Sequence, residues 1–139
     1  MRLLDLYSGA GGAATGYYRA GFTETAGVDI KHQSRYPYNF VCADALEYVA
    51  EHGHKFDFIH SSPPCQVHSV TAGLSNGKHL DLVPQTRAAL IATGKPYVIE
   101  NVPGAPMINP LMLCGTMFGL GVIRHRLFEC NPVVWFPPA

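Results

Sequence analysis

The stretch "RLLDLYSGAGGAATG", residues 2–16, constrains the fold more than any other part of the chain. An apolar run from Arg2 to Leu6 meets a turn that carries Gly9, Gly11 and Gly12, and a segment rich in small residues follows, with Gly16 within it, as far as Ala20 and Gly21. This reads as strand, sharp turn and helix, with the helix from about Gly12 to Ala20. Glycine lets the backbone turn tightly and come close to a ligand. The helix start adds free amides and a positive dipole end. Asp29 ends the next strand, eighteen positions after Gly11. A carboxylate there is placed to accept ribose hydroxyls. Gly9-x-Gly11-x-x-Ala14 also fits the dinucleotide pattern. A dinucleotide enzyme and a tight turn without a ligand both stay open at this point.

The same alternation continues downstream. "TETAGVD", "YNFVCAD", "KFDFIHS", "PYVIE" and "HRLFEC" read as strands, and "ALEYVAEHG" and "DLVPQTRAALIATG" as helices. Pro84 suits a first helical turn and Gly94 a stop. Strands that alternate with helices predict an α/β fold, with a Rossmann-like, mostly parallel sheet and helices on both faces. The 139 residues suffice for one domain with a single core. From Cys65 to His79 the chain is polar and holds Gly73 and Gly77, which predicts a mobile loop.

Charge narrows the function classes. Ten Lys/Arg balance ten Asp/Glu, so no global field draws in nucleic acid, and any contact with a polyanion must come from a local cluster. There is no 18-residue apolar run to cross a membrane, and "MRLLDLYSG" is too short and too soon polar for a signal peptide. A cytoplasmic protein is expected. Cys42, Cys65, Cys114 and Cys130 form no C-x-x-C pair, and the seven histidines lack metal-ligand spacing, so no metal is expected. Cys42, Cys114 and Cys130 sit among apolar neighbours and read as small core residues.

Three strand ends carry candidate chemistry. Asp44 ends the third strand, where it can accept from an adenine amine, cap the helix that starts at Ala45, or do both. "SSPPCQ" follows the fourth strand. Its prolines stiffen the turn before Cys65, a suitable mount for a nucleophile. A buried turn cysteine is the plainer alternative. "YVIENVPG" puts Glu100 at the end of the fifth strand, on the same sheet edge as Cys65, where a carboxyl can serve as a proton donor. In "RHRLFE", Arg124 and Arg126 share a face if the segment is a strand. They can orient Glu100, hold a base carbonyl or meet a phosphate.

"DLYSGAGG", "SPPCQ", "IENV" and "RHRLFE" occur in that order, and the set resembles the DNA (cytosine-5)-methyltransferases from about Arg2 to Cys130. A dinucleotide enzyme has no reason to carry both the cysteine and the glutamate motifs. The resemblance implies that Cys65 attacks C6 of a cytosine while Glu100 protonates N3. C5 then takes a methyl group from S-adenosylmethionine. A base removes the C5 proton and Cys65 leaves. Arg126 would steady the ring carbonyl, and Arg124 would sit nearer the cysteine loop. Tyr7, Gly9, Gly11, Asp29, Ile30, Asp44 and Pro64 would form the donor pocket. Gln66, Ser69 and Asn101 would serve the substrate, with Asn101 bracing the loop after Glu100. The implied partner is double-stranded DNA with the cytosine flipped out.

The chain departs from the family pattern at several points. Tyr7 stands where Phe is usual, Ser61 and Ser62 where Gly or Ala is common, and Ile123 where Gln often precedes the arginines. Nothing after Cys130 resembles the family's target-recognition region or its last motif. Residues 1–139 therefore read as a catalytic domain that lacks both. A separate recognition chain, or a second copy of this one, is a candidate partner. Two alternatives remain: a non-catalytic binding module, and an enzyme acting on tRNA.

Overall fold

The computed structural model describes residues 1–64 and 81–133. Cys65, Gln66, Ser69 and the expected loop to His79 lie outside the described residues. The strands are β1 (Arg2–Leu6), β2 (Glu24–Asp29), β3 (Asn39–Cys42), β4 (Phe58–Ser61), β5 (Tyr97–Asn101), β6 (Leu111–Cys114) and β7 (His125–Asn131). The helices are α1 (Gly12–Arg19), α2 (Ala45–His52) and α3 (Val83–Thr93). All seven strands join one sheet in the order β3-β2-β1-β4-β5-β7-β6. The pairings among β1 to β5 are parallel. β7 runs antiparallel to both β5 and β6.

This order creates a switch point. From β1 the chain winds outward through β2 to β3, then returns to place β4 on the other side of β1. Connections at the C-terminal ends of β1 and β4 diverge and open a crevice between them. The glycine turn follows β1 and the Pro-Pro segment follows β4, so the topology delivers both to this crevice.

Side-chain alternation then decides the two faces. Leu4 and Leu6 of β1 join Val28, Ile59 and Ile99, and pack on Ala45 and Val49 of α2 and Leu90 of α3. Leu3 and Asp5 point the other way, toward the face where α1 lays Tyr17 against Phe58 and His60. The expected helices on both faces are thus present. α1 starts at Gly11, whose φ of 91° is left-handed, and α3 carries Pro84 in its first turn and ends at Gly94.

One close approach depends on glycine. The ring of Tyr36 lies against Gly27, where a Cβ would overlap it. The Tyr36 hydroxyl donates to Asp5 at 3.3 Å. Asp5 is 1% exposed. Burial pushes its carboxyl up to about 7, the Tyr36 bond partly offsets this, and the charges of Glu100 and Asp29 add to the rise.

The far side of the sheet is fastened by a buried ion pair. Arg87 of α3 reaches Glu129 of β7 through two bonds, 2.6 and 2.7 Å long. The same guanidinium donates to the Pro106 carbonyl at 2.7 Å, and Glu129 accepts from the Ile108 amide at 2.8 Å. One pair therefore ties α3, β7 and the segment entering β6.

Two expectations need correction. "LMLC" forms β6, which sequence reading missed: four apolar residues between Pro110 and Gly115 show no alternation to separate strand from buried turn. The cysteines expected in the core are not there: Cys42 is exposed, and Cys114 and Cys130 are half-buried. Cys42 ends an edge strand and Cys114 an edge hairpin, so apolar neighbours in sequence do not give them a buried face.

Candidate active site

Two carboxylates shape the side of the crevice formed by β1 and β2. Asp29 accepts from the Gly9 amide and the Lys31 amide, both at 3.0 Å, so it fastens the glycine turn as well as facing the crevice. Asp44 caps α2 by accepting from the Leu46 and Glu47 amides at 2.9 and 3.0 Å. Tyr7 has a left-handed φ of 55°, and its hydroxyl lies 3.0 Å from Thr86 Oγ1 of α3. Burial pushes its phenol up; the Thr86 bond partly offsets this, and the charge of Asp44 adds to the rise. Ile30 leaves its side chain 67% exposed just past β2. A Cβ built on Gly9 or Gly12 would meet nothing within 4 Å, so the backbone there borders open space. Open backbone at Gly9 and Gly12, the exposed Ile30, the carboxylates of Asp29 and Asp44 and the start of α1 thus lie near the C-terminal ends of β1, β2 and β3.

The other side is built around Glu100. Its Oε1 lies 3.5 Å from Arg126 Nε, and its Oε2 lies 3.4 Å from Ser62 Oγ. Ser61 of β4 pairs with Ile99 of β5, and this register places Ser62 beside Glu100. Asn101 turns inward, where its Nδ2 donates to the Pro63 carbonyl at 3.2 Å and its Oδ1 accepts from the Val102 amide at 2.9 Å. Glu100 and the chain leading into Pro64 are thus fixed to each other, and Pro64 is one peptide bond from Cys65. Arg124 precedes β7 and is exposed. It does share a groove with Arg126, lined also by Leu113, Phe118, Val122 and Phe128. The ion pair to Glu100 comes from Arg126.

Sequence reading missed His60, Tyr17 and Ser62. His60 is buried in β4, with Nδ1 3.1 Å from the Tyr17 hydroxyl and Nε2 2.9 Å from Ser62 Oγ. Burial lowers its pKa to about 4, so the ring is neutral at neutral pH. Its approach to Glu100, 3.8 Å, is therefore not an ion pair at that pH. The signal lay in "FDFIHS", where a polar ring interrupts an apolar strand. No group of three or more metal-ligating side chains is found among the described residues. No helix among them is long and apolar enough to cross a membrane.

The same arrangement of strands recurs in solved structures. One named as a DNA modification methyltransferase of an E. coli prophage matches 92% of this chain and 45% of its own, with a TM-score of 0.62 and 20% identity. A SAM-dependent methyltransferase from Archaeoglobus fulgidus matches 76% of this chain and 47% of its own, with a TM-score of 0.50 and 25% identity. The fold is that of the S-adenosylmethionine-dependent methyltransferases. Within that class, the model of the C-5 cytosine-specific DNA methylase family matches residues 1–106, and the chain belongs to that family. A relative, the type II methyltransferase M.XorII of Xanthomonas oryzae pv. oryzae, is 30% identical over 118 residues. That match takes in 73% of this chain and 28% of the relative, so the chain spans well under half of the relative's length.

Proposed function

We propose that this chain is the catalytic part of a DNA (cytosine-5)-methyltransferase acting through a covalent adduct on Cys65. The observation that carries the reading is the placement of Glu100. Its carboxyl lies near the C-terminal end of β5, between Arg126 and Ser62, while Asn101 ties the neighbouring backbone to Pro63. A carboxyl so placed can hold a proton against N3 of a cytosine that has left the helix. Protonation there draws electrons from the ring, and the Cys65 thiolate adds to C6. C5 becomes nucleophilic and would take the methyl group of S-adenosylmethionine, released as S-adenosylhomocysteine; a base would then remove the C5 proton, restoring the double bond as Cys65 leaves and the N3 proton returns to Glu100. Arg126 keeps Glu100 aimed and can reach the ring carbonyl, and Arg124 lies on the open approach.

Gly9, Gly11, Ile30 and Asp44 would border the donor, with Asp29 offering its remaining lone pairs to the ribose hydroxyls. Tyr7 would contribute its ring face, since Thr86 takes its hydroxyl. Pro64, Gln66 and Ser69 would complete the substrate side around Cys65. A cytoplasmic setting and double-stranded DNA as partner accompany this reading, with target recognition supplied by further sequence, a separate chain or a second copy.

Trapping on DNA that carries 5-fluorocytosine, with S-adenosylmethionine present, tests it. The expected outcome is a denaturant-resistant protein–DNA adduct that Cys65→Ala abolishes and Glu100→Gln strongly reduces. A full-length chain that binds the donor calorimetrically yet gives no adduct, alone or with its recognition part, overturns the catalytic reading in favour of a binding module. An adduct on tRNA but not on DNA would reassign the substrate.

A further inference from the structure

Behind Glu100 lies a line of polar groups that the reaction as written does not use. Tyr17 of α1, His60 of β4 and Ser62 lead in steps of 3.1, 2.9 and 3.4 Å to Glu100 Oε2. The last step is long for a hydroxyl–carboxylate bond. The donors along this line can be assigned by elimination. An ionised carboxylate only accepts, so Ser62 spends its single proton on Glu100. Ser62 Oγ must then accept from His60 Nε2–H. A neutral imidazole has one N–H, so Nδ1 is bare and accepts from the Tyr17 hydroxyl. One direction satisfies every group when Glu100 is charged. When Glu100 carries a proton toward Ser62, the reverse direction satisfies them, with Nδ1–H donating to Tyr17.

We propose that Tyr17, His60 and Ser62 are positioning residues, a hydrogen-bond chain that holds the Glu100 carboxyl and reverses when Glu100 takes up its proton, His60 changing tautomer as it does so. The proposal rests on the reading of Glu100 as the proton-donating acid. The protonated state holds one proton more than the ionised state, taken from water, and apart from the proton positions no covalent bond changes. The surroundings favour a neutral ring. His60 is 2% exposed, and apart from Glu100 the titratable groups nearest the line are Asp5, in register with His60 on β1, and Cys130, whose charge reaches Tyr17. Arg126 acts on Glu100 from the opposite oxygen. Tyr17, His60 and Glu100 also line one groove of about 370 Å³ beside α1, so the chain runs along a wall that borders the site. Ser62 stands where the family pattern commonly has Gly or Ala, and that departure is what links His60 to Glu100.

The test reads the tautomer directly, by long-range proton–nitrogen spectra of the full chain labelled with nitrogen-15 histidine and assigned through the backbone. At pH 7 the wild type should carry the His60 proton on Nε2. In Glu100→Gln the Arg126 donor selects the amide oxygen, so the amide N–H₂ faces Ser62 and donates. The chain should then reverse and the His60 proton should move to Nδ1. Ser62→Ala in the Glu100→Gln background should abolish the change, and Ser62→Thr should keep it. A His60 that merely fills space would hold one tautomer throughout, and that result overturns the proposal. A proton on Nδ1 in the wild type overturns it without any variant, should Glu100→Gln fail to fold. An adduct trapped on 5-fluorocytosine DNA together with an unresponsive His60 sinks the chain alone. A responsive His60 with no adduct supports the chain and sinks the enzymatic reading.

Discussion

Around β1 and β2 the polar groups of the glycine turn are engaged within the chain, with Asp29 on the Gly9 amide, Tyr7 on Thr86 and Tyr36 on Asp5. Between Met112 and Arg126 the opposite holds. Met117, Phe118, Leu120, Val122 and Ile123 are exposed, and Arg124 is open to solvent. The first half is preformed, as suits a small ligand that must be gripped in one geometry. The second half leaves apolar side chains and a cationic one exposed, and Phe118, Leu120, Val122 and Arg124 share one groove with Arg126. The Arg87–Glu129 pair, which joins α3 to β7 outside this segment, is by contrast a closed and largely buried fastening.

Removing that fastening should have the largest effect. Arg87→Met leaves Glu129 buried without its cation and should cost about 3–5 kcal/mol in chemical denaturation. The Arg87→Met/Glu129→Leu pair should regain most of it. A loss below about 1 kcal/mol in the single variant would mean that the far side holds together by apolar packing instead.

Next comes pH dependence, which probes the preformed half. Folding raises the Asp5 pKa from 3.8 to about 7 and lowers that of His60 from 6.5 to about 4. The fold holds the Asp5 proton more tightly, so stability present below pH 3.8 is lost as pH rises through about 7. For His60 the fold holds the proton less tightly, so stability present above pH 6.5 is lost as pH falls through about 4. Over the shared window the two oppose each other, and the wild type should vary little. Asp5→Asn should expose the His60 dependence, with stability climbing up to about 1.4 kcal/mol per pH unit as pH rises from 4.5 to 6. Denaturant midpoints across that range would show it, and a profile as flat as the wild type's would argue against the balance.

A smaller effect separates crowded from open glycines. Gly27→Ala must displace the Tyr36 ring and should cost about 1–3 kcal/mol. Gly12→Ala meets nothing and should stay within about 0.5 kcal/mol, measured by the same denaturation. The smallest effect belongs to the open surface. Ile123→Ser removes a side chain that is 78% exposed, and should change stability by no more than about 0.5 kcal/mol while raising solubility. A larger loss would mean that the apolar surface is already covered in solution.

Local sequence was enough for the first five strands, the three helices and the placing of Asp29 at the end of β2 and Glu100 near the end of β5; Asp44 lies two residues past β3, as the cap of α2. Their signals are short in range: apolar runs, a proline in the first turn, glycines at helix ends. Asp44 as a cap could be read from Asp before Ala45, because a capping bond spans two or three residues. β6 could not be read this way, since its identity comes from pairing with β7 through residues 111–114 and 125–128. Arg87 looked like an ordinary helix residue, because its partner is 42 positions away.

The order of glycine turn, Pro-Pro-Cys-Gln, Glu-Asn-Val and the arginine pair was set by the sequence alone, and with it the family, because each motif is a local requirement of turn geometry or reactivity. The tertiary structure decided which of these groups meet: that Arg126 rather than Arg124 takes Glu100, that Asn101 turns back to Pro63, and that a buried histidine stands behind the acid. Such contacts depend on strand register and sheet order, which join residues tens of positions apart and leave no mark in any one stretch of chain.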